Sequence, residues 1–200
     1  WVIAAFLLIE GTLVQARVIP SASMENTVLI GDHLIVSRAG YDAGIPFTSI
    51  HAPLWREPRR QQIIVFRAPL PGNPDYIKRL IGLPGDTLEV RQGIVYINGQ
   101  ALVEPYRNGA PSLEDNYSPV VVPPNHYFMM GDNRNDSYDS RYWGFVPREN
   151  ILGTPLFISM SIDAPEEVWE PGHLGERFGA YLSIFIHPGE VRWRRLFKTF

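Results

Sequence analysis

Two serines separated by one alanine, Ser21 and Ser23, stand in the stretch IPSASMENTVLIGD, just after an apolar N-terminus. In an extended backbone, residues two apart face the same side, so both hydroxyls would project together with the Ser23 amide close by. One hydroxyl can attack a carbonyl while the other, with a backbone N–H, stabilises the resulting oxyanion. Such a nucleophile needs a base. His33, His51, His126, His173 and His187 lie in no Gly-x-Ser-x-Gly elbow and in no other recognisable catalytic setting. The other option is a lysine, which serves only when neutral. Free lysine titrates near ~10.4, so a lysine base must be desolvated and kept away from carboxylates. Lys78, in DYIKRLIGLPGD, fits that demand. Read as a strand, the run puts Tyr76, Lys78 and Leu80 on one face and Asp75, Ile77 and Arg79 on the other, turning the nearest carboxylate away from the amine. A solvated lysine on an edge strand satisfies the same pattern.

A third dense stretch is MMGDNRNDSYDSRYWGFVPRENI. Its acidic spacing invites a calcium-loop reading, which fails on inspection. Counting from Asp132, Arg134 takes the third place, Ser137 stands where the loop needs glycine, and Trp143 stands where it needs glutamate. Asp139 and Arg141, two apart, can instead pair on one face and hold Ser137 in place. A positioned hydroxyl that accepts a hydrogen bond from a lysine amine would orient that base. A solvated turn is the plain alternative.

These side chains need a scaffold. With 200 residues, 45% of them hydrophobic and 20% charged, the chain can bury the core of one domain. A net charge of -3 argues against nucleic acid as a partner. The absence of cysteine removes disulfides, thiolate zinc sites and cysteine nucleophiles, so any nucleophile is an oxygen or an amine. TLEVRQGIVYINGQALV reads as strands joined by two-residue turns at Gln92-Gly93 and Asn98-Gly99. QQIIVFRAP, NHYFMMGD and LFISMSI are further strands, and 18 prolines with 17 glycines among short apolar runs favour a mostly β fold with long loops over a helical bundle. Residues 39–60 and 104–119 read as excursions from the core.

The two ends differ from the middle. WVIAAFLLI reads either as the outer half of a membrane span, which needs about 20 apolar residues, or as a buried terminal strand or helix. In VRWRRLFKTF, Trp193, Leu196, Phe197 and Phe200 fall at helical spacing among Arg192, Arg194, Arg195 and Lys198. That pattern suits a membrane surface, or a final turn packed on the domain with its arginines in solvent.

Four blocks in order, IPSASMENTVLIGD, IIVFRAP, DYIKRLIGLPGDTLEV and FMMGDNRNDSYDSRYWGFVPRENILG, resemble the type I (leader) signal peptidases of bacteria, membrane-bound serine proteases with a Ser/Lys dyad. The resemblance implies Ser23 as nucleophile, Lys78 as general base, Ser21 as the oxyanion hydroxyl beside the Ser23 amide, and Ser137 as the group that orients the lysine. It places Asp139 and Arg141 on a structural ion pair and Gly131 on a glycine packed close to the dyad. An extended substrate would add a strand beside Ile19 to Ala22 and the run from Asp75 through Tyr76 and Ile77 to Lys78, with Met24 and Tyr76 lining a narrow pocket. The implied fold is a mostly β catalytic domain of coiled antiparallel β-sheets at 18–163, preceded by the end of a membrane anchor at 1–17 and followed by an extension at 164–200.

The implied activity is removal of signal peptides from exported preproteins after Ala-x-Ala, at the extracytoplasmic side of the bacterial cytoplasmic membrane. The lipid bilayer is then a partner, and no metal or organic cofactor is involved. Three departures from the family's usual pattern stand out: Asn26 where proline is usual, Ala22 for a frequent glycine, and Gln61-Gln62 for a Gly-Asp turn. Two rival readings remain. A self-cleaving SOS repressor-type protease shares the dyad but needs a cleavage site upstream of its serine, whereas Ala39-Gly40 and Ala43-Gly44 follow it. A membrane-tethered β domain could also bind peptides with the dyad residues idle. Burial of Lys78 within hydrogen-bond reach of Ser23 is the feature that distinguishes chemistry from idleness.

Overall fold

The computed structural model describes residues 13–44, 51–53, 55–170 and 172–200. Its strands are β1 Val14–Val18, β2 Asp32–Ser37, β3 Asp42–Gly44, β4 His51–Pro53, β5 Ile63–Arg67, β6 Asp75–Gly82, β7 Thr87–Arg91, β8 Ile94–Ile97, β9 Gln100–Ala101, β10 Tyr117–Val121, β11 His126–Met130, β12 Val146–Pro147 and β13 Ile151–Ser161. The helices are α1 Ser140–Trp143, α2 Glu166–Trp169 and α3 Leu174–Ile186. A seven-stranded sheet runs in the order β1-β2-β13-β5-β6-β11-β12, and a four-stranded sheet in the order β10-β7-β8-β9. The fold is mostly β and antiparallel, as the strand and turn pattern predicts. Two register shifts in β13, at Pro155/Phe157 and Ile158/Met160, bend this long central strand and curl the sheet around it.

Local sequence explains the hairpins. Gln92-Gly93 and Asn98-Gly99 take φ values of 49°, 77°, 52° and 79°, so both central residues of each turn are left-handed, the geometry that matches strand twist. Below the serine-bearing turn lies a core of Ile19, Met24, Val28, Leu34, Val36, Ile63, Val65, Leu152 and Ile158. Ile64, Phe66, Leu80, Tyr127 and Met129 belong to a second core. Burying each such side chain contributes about 1.5–3 kcal/mol, which makes β5 and β6 a stiff support.

Three boundaries differ from those expected. A division between residues 17 and 18 cuts β1, which pairs with β2 from Val14↔Ser37 to Val18↔His33 and so belongs to the sheet; the apolar run 1–9 lies outside the described residues. Residues 104–119 are no free excursion, because Glu104 accepts from Arg134, the Tyr106 ring lies 3.8 Å from the Arg79 guanidinium, and Asp115 pairs with Arg141 at 2.9 Å. The C-terminal run forms one short turn at Trp193–Arg195 instead of an amphipathic helix. Its backbone is spent on β13, with Phe197 N–H donating to Ile158 O (2.8 Å) and Ile158 N–H to Lys198 O (3.0 Å).

The same segment is also tied down by its side chains. Arg192 donates to Ile30 O and Arg195 to Asp32, at 2.8 and 2.6 Å. These two arginines are therefore partly buried and bonded, where a simple terminal turn would leave them in solvent. Among the described residues, no helix is long and apolar enough to cross a membrane.

Candidate active site

The serine turn is anchored where β1 ends. Ile19 N–H donates to Asp32 O and Gly31 N–H to Ile19 O, both at 2.9 Å. Ser21 is extended (φ -139°, ψ 155°), but Ala22–Met24 turn tightly, closed by Glu25 N–H to Ala22 O at 2.9 Å. The two serines thus do not share the straight strand assumed from their spacing. The turn nevertheless brings their hydroxyl oxygens to 3.4 Å. Met24 differs from expectation: it is 0% exposed and packs into the core, so it pins the turn and does not line a substrate pocket. Asn26 has φ +80°, a left-handed conformation that a proline ring forbids and asparagine tolerates, and its side chain donates to Asn108 Oδ1 at 3.1 Å.

Lys78 sits mid-way along β6, opposite Ile64 of β5, and is 4% exposed. Its Nζ donates to Ser23 Oγ. The Tyr76 ring lies 5.5 Å from the amine, so the two share a face as the strand period predicts. Burial pulls the Lys78 pKa down from 10.5 to about 8, against Asp139, Asp132 and Asp136, which raise it; Arg141 adds a smaller downward pull. The first two carboxylates are engaged elsewhere. Asp132 accepts from Arg79 at 2.6 and 2.7 Å and from Thr27 at 2.5 Å.

Asp139 is the hub of the loop after β11. It accepts from Arg141 Nε (2.9 Å), from Ser137 Oγ (2.8 Å) and from the Gly131 amide (3.0 Å). Arg141 also donates to Asp115 (2.9 Å) and to Arg134 O (2.8 Å). Ser137 spends its proton on Asp139, which leaves its lone pairs to accept; it makes no direct hydrogen bond with Lys78. Gly131 lies between these groups. A Cβ there would stand 2.5 Å from the Ser23 carbonyl oxygen and closer still to Ser137 Oγ.

A cleft of about 420 Å³ opens over the pair, with Ile19, Ala22, Tyr76 and Ile77 along it, Arg17 and Asp75 at its far end, and Tyr138 and Glu166 among its lining residues. Among the described residues β1 pairs only with β2, and β11 joins β6 only from Arg79 onward. Val14–Val18 and Asp75–Lys78 therefore each keep one unpaired edge beside the cleft. Arg17, Glu166, Arg79 and Asp132 escaped the sequence reading. The ion pairs of Arg17 with Asp75 and of Arg79 with Asp132, the latter 53 residues apart, join segments distant in the chain, and such pairs leave no spacing signal.

Fold and site define a class of protein: a mostly β domain with a serine bonded to a buried lysine in an open cleft. The model of the signal peptidase family, peptidase S26, matches residues 1–160, and the chain belongs to that family. It is similar to a probable signal peptidase I-2 of Synechocystis sp., 46% identical over 150 residues, which cover 70% of this chain and 60% of that protein. A signal peptidase I of Leptolyngbya laminosa is 40% identical over 169 residues, covering 81% and 72%. The chain thus spans 60% of the Synechocystis relative's length. A solved signal peptidase I from Enterococcus faecalis is 39% identical with a TM-score of 0.42, covering 50% of this chain and 97% of that one.

Proposed function

We propose that this protein is a serine endopeptidase that removes signal peptides from exported preproteins, with Ser23 and Lys78 as its dyad. The observation that carries the reading is the buried Lys78 amine, held on Ser23 Oγ with its pKa drawn down to about 8. Neutral Lys78 takes the Ser23 proton as Oγ attacks the peptide carbonyl. The Ser21 hydroxyl and the Ser23 amide hold the oxyanion. When the intermediate collapses, the Lys78 ammonium returns its proton to the leaving amine. Lys78 then activates a water that hydrolyses the acyl ester and frees Ser23. Ser137, fixed by Asp139 and not bonded to Lys78 in the resting geometry, keeps its lone pairs available to take an N–H of the amine when Lys78 turns toward it during the reaction.

The substrate segment adds to the free edges beside Ile19 to Ala22 and Asp75 to Lys78. Ala22, Ile19 and Tyr76 leave room for alanine, glycine or serine before the cut and exclude leucine or phenylalanine. The site works against the bilayer, on the extracytoplasmic side of a bacterial cytoplasmic membrane.

The test is cleavage of a labelled preprotein by the purified chain, with both products weighed by mass spectrometry. Cutting is expected after Ala-x-Ala, with kcat/KM rising as pH passes about 8, because Lys78 acts only once it has lost its proton. Ser23→Ala and Lys78→Met should each abolish it, and together cost little more than either alone. Cleavage confined to the protein's own chain would favour the repressor-like reading. Peptide binding without cleavage would favour an idle module.

A further inference from the structure

The cleft is crossed twice by bonds between the same two segments. At one end Lys78 of β6 reaches Ser23. At the other, Asp75 of β6 pairs with Arg17 of β1 at 2.5 Å. Asp75 and Lys78 are three residues apart on one strand, about 10 Å. An extended peptide with its scissile carbonyl at Ser23 therefore brings the fourth residue before the cut, the one preceding Ala-x-Ala, to the Arg17–Asp75 pair.

This pair is no structural rivet. The two side chains are 32% and 30% exposed, against 9% and 0% for Arg79–Asp132. Exposed pairs of that kind contribute about 0–1 kcal/mol. Arg17 also donates to Gln15 Oε1 at 3.0 Å, while its Nε is buried with no acceptor among the described residues. The closed pair thus leaves a donor unsatisfied, which favours opening. The cleft is also short of cations. Besides Asp75 it is lined by Glu166, from α2, and Asp136, whereas its cations are Arg17 and Lys78, and Lys78 has to be neutral to act.

We infer that Arg17, Asp75 and Glu166 form a charge-reading subsite for the preprotein residue preceding Ala-x-Ala, one that favours a cation. The inference rests on the peptidase reading above. A lysine at that position displaces Arg17 from Asp75 and meets two carboxylates. A glutamate meets their repulsion, and pairing with Arg17 would strip Asp75 of its partner. Arg17 then works as a gatekeeper that keeps Asp75 neutralised until a competing cation arrives.

The test uses three peptides that differ only in lysine, glutamine or glutamate before Ala-x-Ala. They are bound to the 200-residue chain carrying Ser23→Ala and followed by fluorescence anisotropy at low and high salt. Lysine is expected to bind about fivefold tighter than glutamine and glutamate about fivefold weaker, with the spread shrinking in salt. Asp75→Asn combined with Glu166→Gln should level the series, whereas Arg17→Gln should widen it. Equal affinities, or no binding of any peptide, would overturn the subsite. Wild-type cleavage of the same peptides separates the two claims. Selective binding without cleavage removes the peptidase reading and leaves the subsite, and cleavage with equal KM removes the subsite alone.

Discussion

The floor of the cleft and the C-terminal segment are both fastened by arginines, the floor to the buried Asp132 and Asp139, the C-terminal segment to one buried carboxylate, Asp32, and one exposed, Asp163. Under the cleft, Asp132 and Asp139 are 0% exposed, and each accepts at least three hydrogen bonds. In the C-terminal segment α3 buries no residue, and Arg192 pairs with Asp163, whose side chain is 72% exposed. A buried carboxylate that loses its cation keeps the full cost of desolvation, whereas an exposed one is rescued by water. The floor is therefore a unit in which one change reaches Ser23, whereas the C-terminal segment is held at one buried point, Arg195 on Asp32, and otherwise by local attachments. The difference also bears on Lys78. Burial, with a smaller pull from Arg141, lowers the pKa of its amine and outweighs Asp139 and Asp132, which push it up.

The sharpest way to break this contrast is Gly131→Ala. The added methyl meets the Ser23 carbonyl, which is backbone, and Ser137 Oγ, which is a movable side chain. Ser23 must therefore shift with its turn. Displacing a reacting group by about 1 Å costs roughly 100-fold, so kcat should fall by at least about that much while the protein stays folded. Full activity in Gly131→Ala would mean that the turn yields freely and the floor is not a rigid unit.

Arg141→Ala tests the buried carboxylate. It leaves Asp139 with Ser137 and the Gly131 amide but no cation, and it also unpairs Asp115. Removing one partner of such a pair costs about 3–5 kcal/mol, readable as a drop in the urea midpoint at constant m-value. Arg141→Lys should recover only part, because one ammonium cannot reproduce the forked contacts to Asp139, Asp115 and Arg134 O. An unchanged midpoint for Arg141→Ala would place Asp139 in a far wetter setting than its burial implies.

How much of this was legible in the chain follows from the range of each signal. The hairpins were, because Gln92-Gly93 and Asn98-Gly99 carry their own backbone geometry, and so was the face that Lys78 shares with Tyr76. The nearness of Ser21 and Ser23 was reached by a wrong route, since the sequence suggests a strand and the chain makes a tight turn. Met24 is not placed by the sequence, because an apolar side chain next to a candidate serine looks the same whether it lines a cleft or plugs the core beneath it. The ties of Glu104, Asp115 and Asp132 to Arg134, Arg141 and Arg79 join distant loops and strands, and no periodicity records them. At the C-terminus a helical spacing was present, but pairing with β13 and bonds from Arg192 and Arg195 outweighed it.

The smallest expected effect separates those bound arginines from the one beside them. Arg195 donates to Asp32, which is 0% exposed, and Arg192 reaches back to Ile30 O, whereas exposed Arg194 makes no hydrogen bond or ion pair among the described residues. Trp193 and Phe197 flank this stretch at 59% and 74% exposure. If the segment rests on an anionic bilayer, Arg194 is the side chain free to feel the surface. One such cation contributes about 1 kcal/mol, so Arg194→Gln should weaken binding to anionic vesicles roughly fivefold, in a salt-dependent way, with no change in Tm. Arg195→Gln should behave in the opposite sense: it leaves Asp32 short of its cation and lowers Tm, and any change in vesicle binding follows from loosening the segment. Sedimentation with neutral and anionic vesicles, set beside thermal melts, reads both. Equal vesicle binding by wild type and Arg194→Gln would remove this end from the membrane-facing surface, and an unchanged Tm in Arg195→Gln would show that its hold on Asp32 is as expendable as the exposed pair at Asp163.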